Sequence, residues 1–85
     1  MKIQIEIPDY STKGGMRFEW EPNFTITVQV ENEVVNVKAT SDGLISFARI
    51  LLSLAQPEIP SGYHIHLDSF NSLEDDSCEI VIEKM

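Results

Sequence analysis

Two histidines and an aspartate alternate along the short segment His64-Ile65-His66-Leu67-Asp68, and these side chains could do chemistry. If the segment is a β-strand, residues two apart share a face, so His64, His66 and Asp68 point the same way. Two imidazoles and a carboxylate are ligands that zinc accepts, and they would suit a small metal-dependent hydrolase. Such a hydrolase is one alternative for the function.

The ligand set of this row is incomplete. A zinc site needs three or four ligands of good geometry, and the sequence has no second cluster of histidine or cysteine. Same-face neighbours on one strand stand about 7 Å apart, so a lone strand does not chelate a metal tightly. Cys78 is predicted to lie on the opposite face of the sheet. We therefore predict no metal and no cofactor, and interpret the row as a polar sheet face with Glu79 or Glu83 opposite it.

A run of three acids, Glu74, Asp75 and Asp76, follows this row within a predicted loop at 69–76. The whole chain has 14 acidic against 6 basic residues, a net charge of −8. Such a charge repels nucleic acid and anionic membrane surfaces but attracts a basic protein. The run is either a solvated loop or an acidic surface that meets a basic partner. The candidate partner-binding residues are His64, His66, Asp68, Glu74, Asp75 and Asp76.

The remaining residues show no pattern typical of catalysis. Gly14-Gly15 is followed by Met16-Arg17 rather than by a helix, so it cannot hold a phosphate at a helix N-terminus. The serines of the predicted helix have no histidine partner. The lone cysteine, Cys78, cannot form an internal disulfide and is predicted to be buried and inert. We therefore predict that the protein is not an enzyme.

The elements that must position these residues follow from the hydrophobic pattern. Period-two alternation predicts six strands, at 2–7, 16–21, 24–30, 34–39, 63–68 and 77–83. Helical spacing of apolar residues predicts one helix over 43–56, after N-cap oxygens in Thr40-Ser41-Asp42. The order β-β-β-β-α-β-β predicts one α+β domain over residues 1–85. We expect a two-layer sandwich, with the helix on the apolar face of a mostly antiparallel six-stranded sheet.

The predicted helix has a broad apolar surface. Its central stripe is expected to be Leu44, Phe47, Ala48, Leu51, Leu54 and Ala55, flanked by Ile45, Ile50 and Leu52. A six-stranded sheet is about 25 Å wide and a helix about 10 Å across, so one helix cannot cover the sheet. Either the sheet curls strongly or part of its apolar face meets another protein. Self-association, as a homodimer or as a structural or regulatory module, is a further alternative.

The N-terminal sequence lacks the pattern of a signal peptide, because residues 1–7 alternate apolar and polar side chains and form no apolar core. Nor does any stretch approach the roughly 18 consecutive apolar residues of a membrane-spanning helix. We therefore expect a cytoplasmic protein.

Three stretches of the sequence resemble those of a known family: GLISFAR at 43–49 with LLSLAQ at 51–56, PSGYHIHLD at 60–68, and NSLED at 71–75. The opening strand and Phe18-Glu19-Trp20 also fit. Together they resemble the immunity protein 32 family of bacterial polymorphic toxin systems. The resemblance implies a cytoplasmic inhibitor that binds and neutralises a cognate toxin of the same cell or its siblings. Because such toxins are often basic nucleases, it also implies a basic partner, but it identifies no toxin-contact residues.

Overall fold

A computed structural model describes residues 1–85. The elements are strands β1 (Ile26–Glu31) and β2 (Val34–Ala39), helix α1 (Ser41–Leu54), and strands β3 (His64–Leu67) and β4 (Ile80–Glu83). β1 pairs with β2 and β3 with β4, both antiparallel, in two separate two-stranded sheets. The α+β class with one helix is confirmed, and the six-stranded sheet is wrong.

The hairpin of β1 and β2 forms where the alternation predicted it. Its register runs from Ile26 opposite Ala39 to Glu31 opposite Val34. The two turn residues, Asn32 and Glu33, have φ values of 51° and 65°. A two-residue turn with both φ values positive matches the right-handed twist of the strands. The local sequence is therefore sufficient to explain this hairpin.

The N-terminal segment, residues 1–25, forms neither of the strands predicted at 2–7 and 16–21, and its only bridge joins Ser11 to Gly15. From Pro8 onward its backbone groups bond largely to side chains of other elements, whereas residues 1–7 make no hydrogen bond. The Tyr10 N–H donates to Gln56 Oε1 (3.2 Å), and the Met16 N–H donates to the Tyr63 hydroxyl (3.0 Å). With these partners the segment does not need a neighbouring strand to satisfy its buried backbone groups.

The acidic segment 74–78 lies against the edge of β1 that faces away from β2. The Glu74 N–H donates to the Ile26 carbonyl (2.9 Å), and the Cys78 N–H donates to the Val28 carbonyl (2.8 Å). The Val28 N–H donates to Ser77 Oγ (3.1 Å). β1 is therefore bonded along both edges, and the segment continues into β4 beside β3. Because residues 74–78 pack against β1, the last strand begins only at residue 80. Cys78 is exposed rather than buried.

Helix α1 begins after Thr40, whose side-chain oxygen accepts from the Gly43 N–H (3.0 Å). Its buried residues are Gly43, Ser46, Ile50, Ser53 and Leu54. The predicted stripe is wrong, because Leu44 and Leu51 are exposed and Ile50 is in the core. The buried face is rotated by roughly a quarter turn from the predicted one, at 100° per residue. Small residues determine this orientation, since a side chain at Gly43 would lie 2.4 Å from the Thr25 carbonyl oxygen.

The core is small and joins both sheets to the helix. Nine apolar residues are buried: Met16, Ile26, Val28, Ile50, Leu54, Ile59, Ile65, Leu67 and Leu73. The inward faces of β1 and β3 both contribute to it, and the opposite faces of these strands point away from this core. No helix in the structure is long and apolar enough to cross a membrane.

Candidate partner-binding surface

His64 and His66 lie on the outer face of β3, as the alternation predicted, while Ile65 and Leu67 between them are buried. Their two rings lie edge to face, with centroids 5.2 Å apart. His64 pairs across the sheet with Glu83. His66 Nδ1 lies 3.3 Å from Glu79 Oε2. The prediction that Glu79 or Glu83 lies opposite the histidines is confirmed for Glu83; the residue opposite His66 is Val81, and Glu79 contacts His66 from just before β4. These four side chains form a polar, solvent-facing row.

Asp68 does not join this row, because it is used to build the turn after β3. Its carbonyl accepts from the N–H groups of Asn71, Ser72 and Leu73, and its Oδ1 accepts from the Phe70 N–H (2.9 Å). These bonds direct the carboxylate into the turn. Nowhere in the chain do three or more His, Cys, Asp or Glu side chains come together as a metal would require. The expected convergence of Asp68 with the two histidines is therefore wrong.

The turn displays Phe70, whose side chain is 98% exposed. Asn71 fixes the same turn from the other side: its Oδ1 accepts from the Asp68 N–H (3.0 Å), and its Nδ2 donates to the His66 carbonyl (2.9 Å). A phenyl ring held in water by a bonded turn is available to a partner, because aromatic side chains dominate the binding energy of protein interfaces. Sequence reasoning missed Phe70. The available signal was a single aromatic residue in the polar stretch 69–72.

The acid run follows this turn, and Glu74, Asp75 and Asp76 are all exposed. Their backbone is held against β1, so the carboxylates extend from a bonded segment rather than from a free loop. Asp76 is three residues from Glu79, a span of at most about 10 Å. Residues 68–83 contain six acids and no Lys or Arg. We call residues 68–83 the acidic region; it includes the acid run, the turn that displays Phe70, and the two acids of the histidine row, Glu79 and Glu83.

No Lys or Arg forms an ion pair with an acid of this region. Arg49 forms an ion pair with Glu21 (Nη2 to Oε1, 2.8 Å) and is largely buried. Lys84 Nζ donates to the Gln56 carbonyl (2.6 Å). Both cations are bound to other parts of the fold rather than to these acids. The field around residues 68–83 is therefore negative and can attract a positively charged partner.

A shallow apolar pocket of about 270 Å³ lies beside His66. Its other walls are Phe18, Trp20, Leu67 and Asn71. Trp20 packs on the core and stacks on Phe24, with ring centroids 4.6 Å apart. Phe18, which the alternation placed inside, is partly exposed at the rim. The pocket could accept one apolar side chain of a partner.

Comparison with protein families matches residues 34–85 to the family described as Immunity protein 32. The chain belongs to the immunity protein 32 family. No curated protein and no solved structure matches the chain. The matched range contains the three stretches that carry the resemblance, whereas Phe18-Glu19-Trp20 and the opening residues lie outside it.

The part of the chain matched to the immunity protein 32 family includes the whole acidic region. It also contains β2, α1, the histidine row and the turn that displays Phe70. It leaves out β1, to which the acid run is bonded, and two walls of the pocket, Phe18 and Trp20. The acidic region is therefore the better candidate for a role shared with the family, and the pocket lies at the border between the matched part and the rest.

Proposed function

We propose that this chain, acting as one domain, binds a cognate bacterial toxin in the cytoplasm and neutralises it, and that it acts by binding rather than by catalysis. Membership of the immunity protein 32 family is the observation that carries this proposal. The acidic region supports a basic toxin as the partner, because opposite fields accelerate encounter and disfavour wrong partners.

The contact surface that we propose has two components with different physical tasks. The carboxylates of Glu74, Asp75 and Asp76 attract and orient the toxin over distances near the Debye length, about 8 Å at physiological ionic strength. Phe70 then becomes buried against the toxin and slows dissociation, as aromatic anchors do. His64 and His66 contribute polar contacts between these two parts. Asp68 contributes by shaping the turn.

The proposed function is tested with the cognate toxin, for which a toxin domain encoded next to the gene of this chain is the first candidate. Producing this toxin alone is expected to stop growth, and producing it with the immunity protein is expected to restore growth. The purified proteins are expected to form a complex in size-exclusion chromatography. Growth arrest that persists in the presence of the folded immunity protein would contradict the proposal.

Removing the acid run is expected to slow association with the toxin. The variant Glu74→Gln, Asp75→Asn, Asp76→Asn keeps the polar side chains, and asparagine tolerates the positive φ (67°) at position 76. We expect the association rate at low salt to fall by about tenfold and its salt dependence to flatten. The thermal unfolding midpoint should change little, since these side chains are exposed. Stopped-flow kinetics at several salt concentrations measures the effect.

The matched control removes three exposed acids elsewhere: Glu6→Gln, Asp9→Asn and Glu58→Gln. Both variants lower the net charge from −8 to −5, because each loses three negative charges. If position matters, only the first variant slows association strongly. Equal effects would mean that net charge alone accelerates binding and would remove the acid run from the contact surface.

Phe70→Ala is expected to weaken the complex mainly through faster dissociation. Truncating an anchor at the centre of an interface costs about 2 kcal/mol or more, which is at least about a thirtyfold rise in Kd. The free protein should keep its stability, because the ring makes almost no contact in the fold. Ile3→Ala, another exposed apolar side chain, is the control and lies outside the matched range. An unchanged dissociation rate for Phe70→Ala would place the anchor elsewhere.

A further inference from the structure

Strand β2 has an open edge. Next to the last paired residues of the hairpin, Ile26 and Ala39, the Thr40 N–H donates to the Thr25 carbonyl. The backbone groups of Thr40 therefore point toward β1, and so do those of every second residue before it, which are the even-numbered residues of β2. In an antiparallel pair the odd-numbered residues must then direct their N–H and C=O groups the other way. Val35 and Val37 therefore present unpaired backbone groups to solvent. A six-residue strand with such an edge is a template for another strand.

An apolar surface borders this edge. The inward face of the hairpin buries Ile26 and Val28 near the helix. The same face carries three valines that are exposed, at 54%, 62% and 42%: Val30, Val35 and Val37. The inward face of the hairpin thus extends beyond the part that α1 covers. Monomeric proteins seldom expose contiguous apolar patches much larger than a few hundred Å² without a partner.

One flank of α1 extends this surface. The opposite flank contacts the N-terminal segment, since Ser46 Oγ accepts from the Glu21 N–H and Gln56 Nε2 donates to the Pro8 carbonyl. That segment also bonds to Tyr63 beside β3, so it occupies the β3 side of the helix. The remaining flank lies toward β2. It carries three apolar residues of α1 at helical spacing, Leu44, Ala48 and Leu51, followed by the C-cap Ala55; all of these except Ala48 are exposed.

Charge on this surface favours contact with an identical copy. β2 has one charged residue, Lys38, and the free flank of α1 has none. A chain of net charge −8 repels its own copy over most of its surface, so self-contact requires a region without acids. The exposed acids of the hairpin are confined to one end of it: Glu31 ends β1 opposite Val34, and Glu33 is in the turn.

We propose that two copies of this chain pair antiparallel through β2, about Asn36, and form a four-stranded sheet of the order β1-β2-β2-β1. In this register residues 34–38 of one copy pair with residues 34–38 of the other. Val35 of each copy therefore lies opposite Val37 of its partner, which gives two such pairs. Both are residues with outward-facing backbone groups, so the pairing adds about four backbone hydrogen bonds. It also places Val34 beside Lys38 of the partner.

The dimer would bury the exposed valines and bring the leucine flanks of the two helices toward each other. A standard interface buries roughly 800 Å² on each partner, so a stable dimer must include the helix flank as well as the strand edge. A symmetric contact of this kind uses the same patch on both copies and closes on itself, so it does not propagate into fibres. The acid run lies along the other edge of β1, so both copies of the dimer keep the proposed toxin surface free.

Sedimentation velocity of the full chain, over about a hundredfold range of concentration, tests this proposal. The wild type is expected to show a concentration-dependent dimer. Val37→Glu would bury an unpaired charge beside Val35 of the partner and is expected to raise the dimer Kd by about a hundredfold or more. Val81→Glu is the matched control, because Val81 is an equally exposed strand valine (51%) in the other sheet. A wild type that stays monomeric throughout, or equal effects of the two variants, would overturn the proposal.

Amide hydrogen exchange of the wild type provides a test that does not depend on a folded variant. Protection of the Val35 and Val37 N–H groups is expected to increase with protein concentration, while that of Asn36, already bonded to β1, should change little. If these amides are protected only when the toxin is added, the edge belongs to the toxin and the dimer proposal is wrong. Loss of toxin binding would leave the dimer result unaffected, so the two proposals can fail separately.

Discussion

Replacing Ile50 by alanine is expected to lower the free energy of unfolding by about 2–5 kcal/mol, whereas Leu51→Ala is expected to cost less than about 1 kcal/mol. Ile50 is 1% exposed and belongs to a core of nine apolar residues, so truncating it leaves a cavity that few neighbours can fill. Leu51 is 44% exposed and leaves no enclosed cavity. Urea unfolding of both variants measures the difference.

Protein concentration must be held low in this comparison, because Leu51 lies on the helix flank that we assign to the dimer. At concentrations where the chain is monomeric, the large loss should belong to Ile50 alone. If Leu51→Ala matches Ile50→Ala under those conditions, the face of α1 that packs on the sheets differs from the one described. If the loss for Leu51 appears only at high concentration, it reports the dimer contact instead.

Gly43→Ala is expected to destabilise the protein by about 1–3 kcal/mol, although alanine is the better helix former by about 1 kcal/mol. An added Cβ would lie 2.4 Å from the Thr25 carbonyl oxygen, 3.1 Å from Ile26 Cγ1 and 3.2 Å from Ala39 Cβ. The closest of these atoms is backbone and cannot rotate away, so the helix start must move off the β1–β2 hairpin. Thermal and urea unfolding report the loss.

Gly14→Ala is the matched control for this substitution. A Cβ there would have no neighbour closer than 3.9 Å, and the residue does not have a positive φ. It should therefore be neutral, or stabilising by about 0.4–1 kcal/mol through the unfolded chain. A Gly43→Ala variant as stable as the wild type would mean that the helix and the hairpin do not approach as closely as described.

Small residues of α1 explain both stability predictions. Gly43 and Ser46 allow the helix to approach its neighbours, and Ser46 Oγ accepts from the Glu21 N–H (2.8 Å). A helix that packs through small residues, Ile50 and Leu54 leaves Leu44, Leu51 and Leu52 outside, where hydropathy alone would not place them. The apolar flank that results is the surface on which the dimer proposal depends.

Local patterns were sufficient for several parts of the molecule. Alternation located β1 and β2 and placed His64 and His66 on the outer face of β3. The cap at Thr40 and the break at Pro57 bracket α1 within a few residues. These features depend on a few neighbouring residues and on backbone geometry, so the sequence alone predicts them. The same holds for the net charge and for the family, which depends on matched residues.

The tertiary structure decided how strands and side chains find their neighbours. Alternation in residues 2–7 and 16–21 indicates only that one face is apolar; it does not say that a neighbouring strand is available. Between these two stretches, backbone groups bond to Gln56 and Tyr63 instead of to a strand. The segment with the acid run bonds to the free edge of β1. Asp68 accepts hydrogen bonds within the turn after β3 instead of lying beside the histidines. Each outcome depends on hydrogen-bond partners more than ten residues away or on competition between local bonds. Net charge and the periodicity of apolar residues by themselves determined an acidic α+β chain. The placement of Phe70, the acid run and the open edge of β2 came from packing, because a sequence pattern specifies which face is buried but not what covers it.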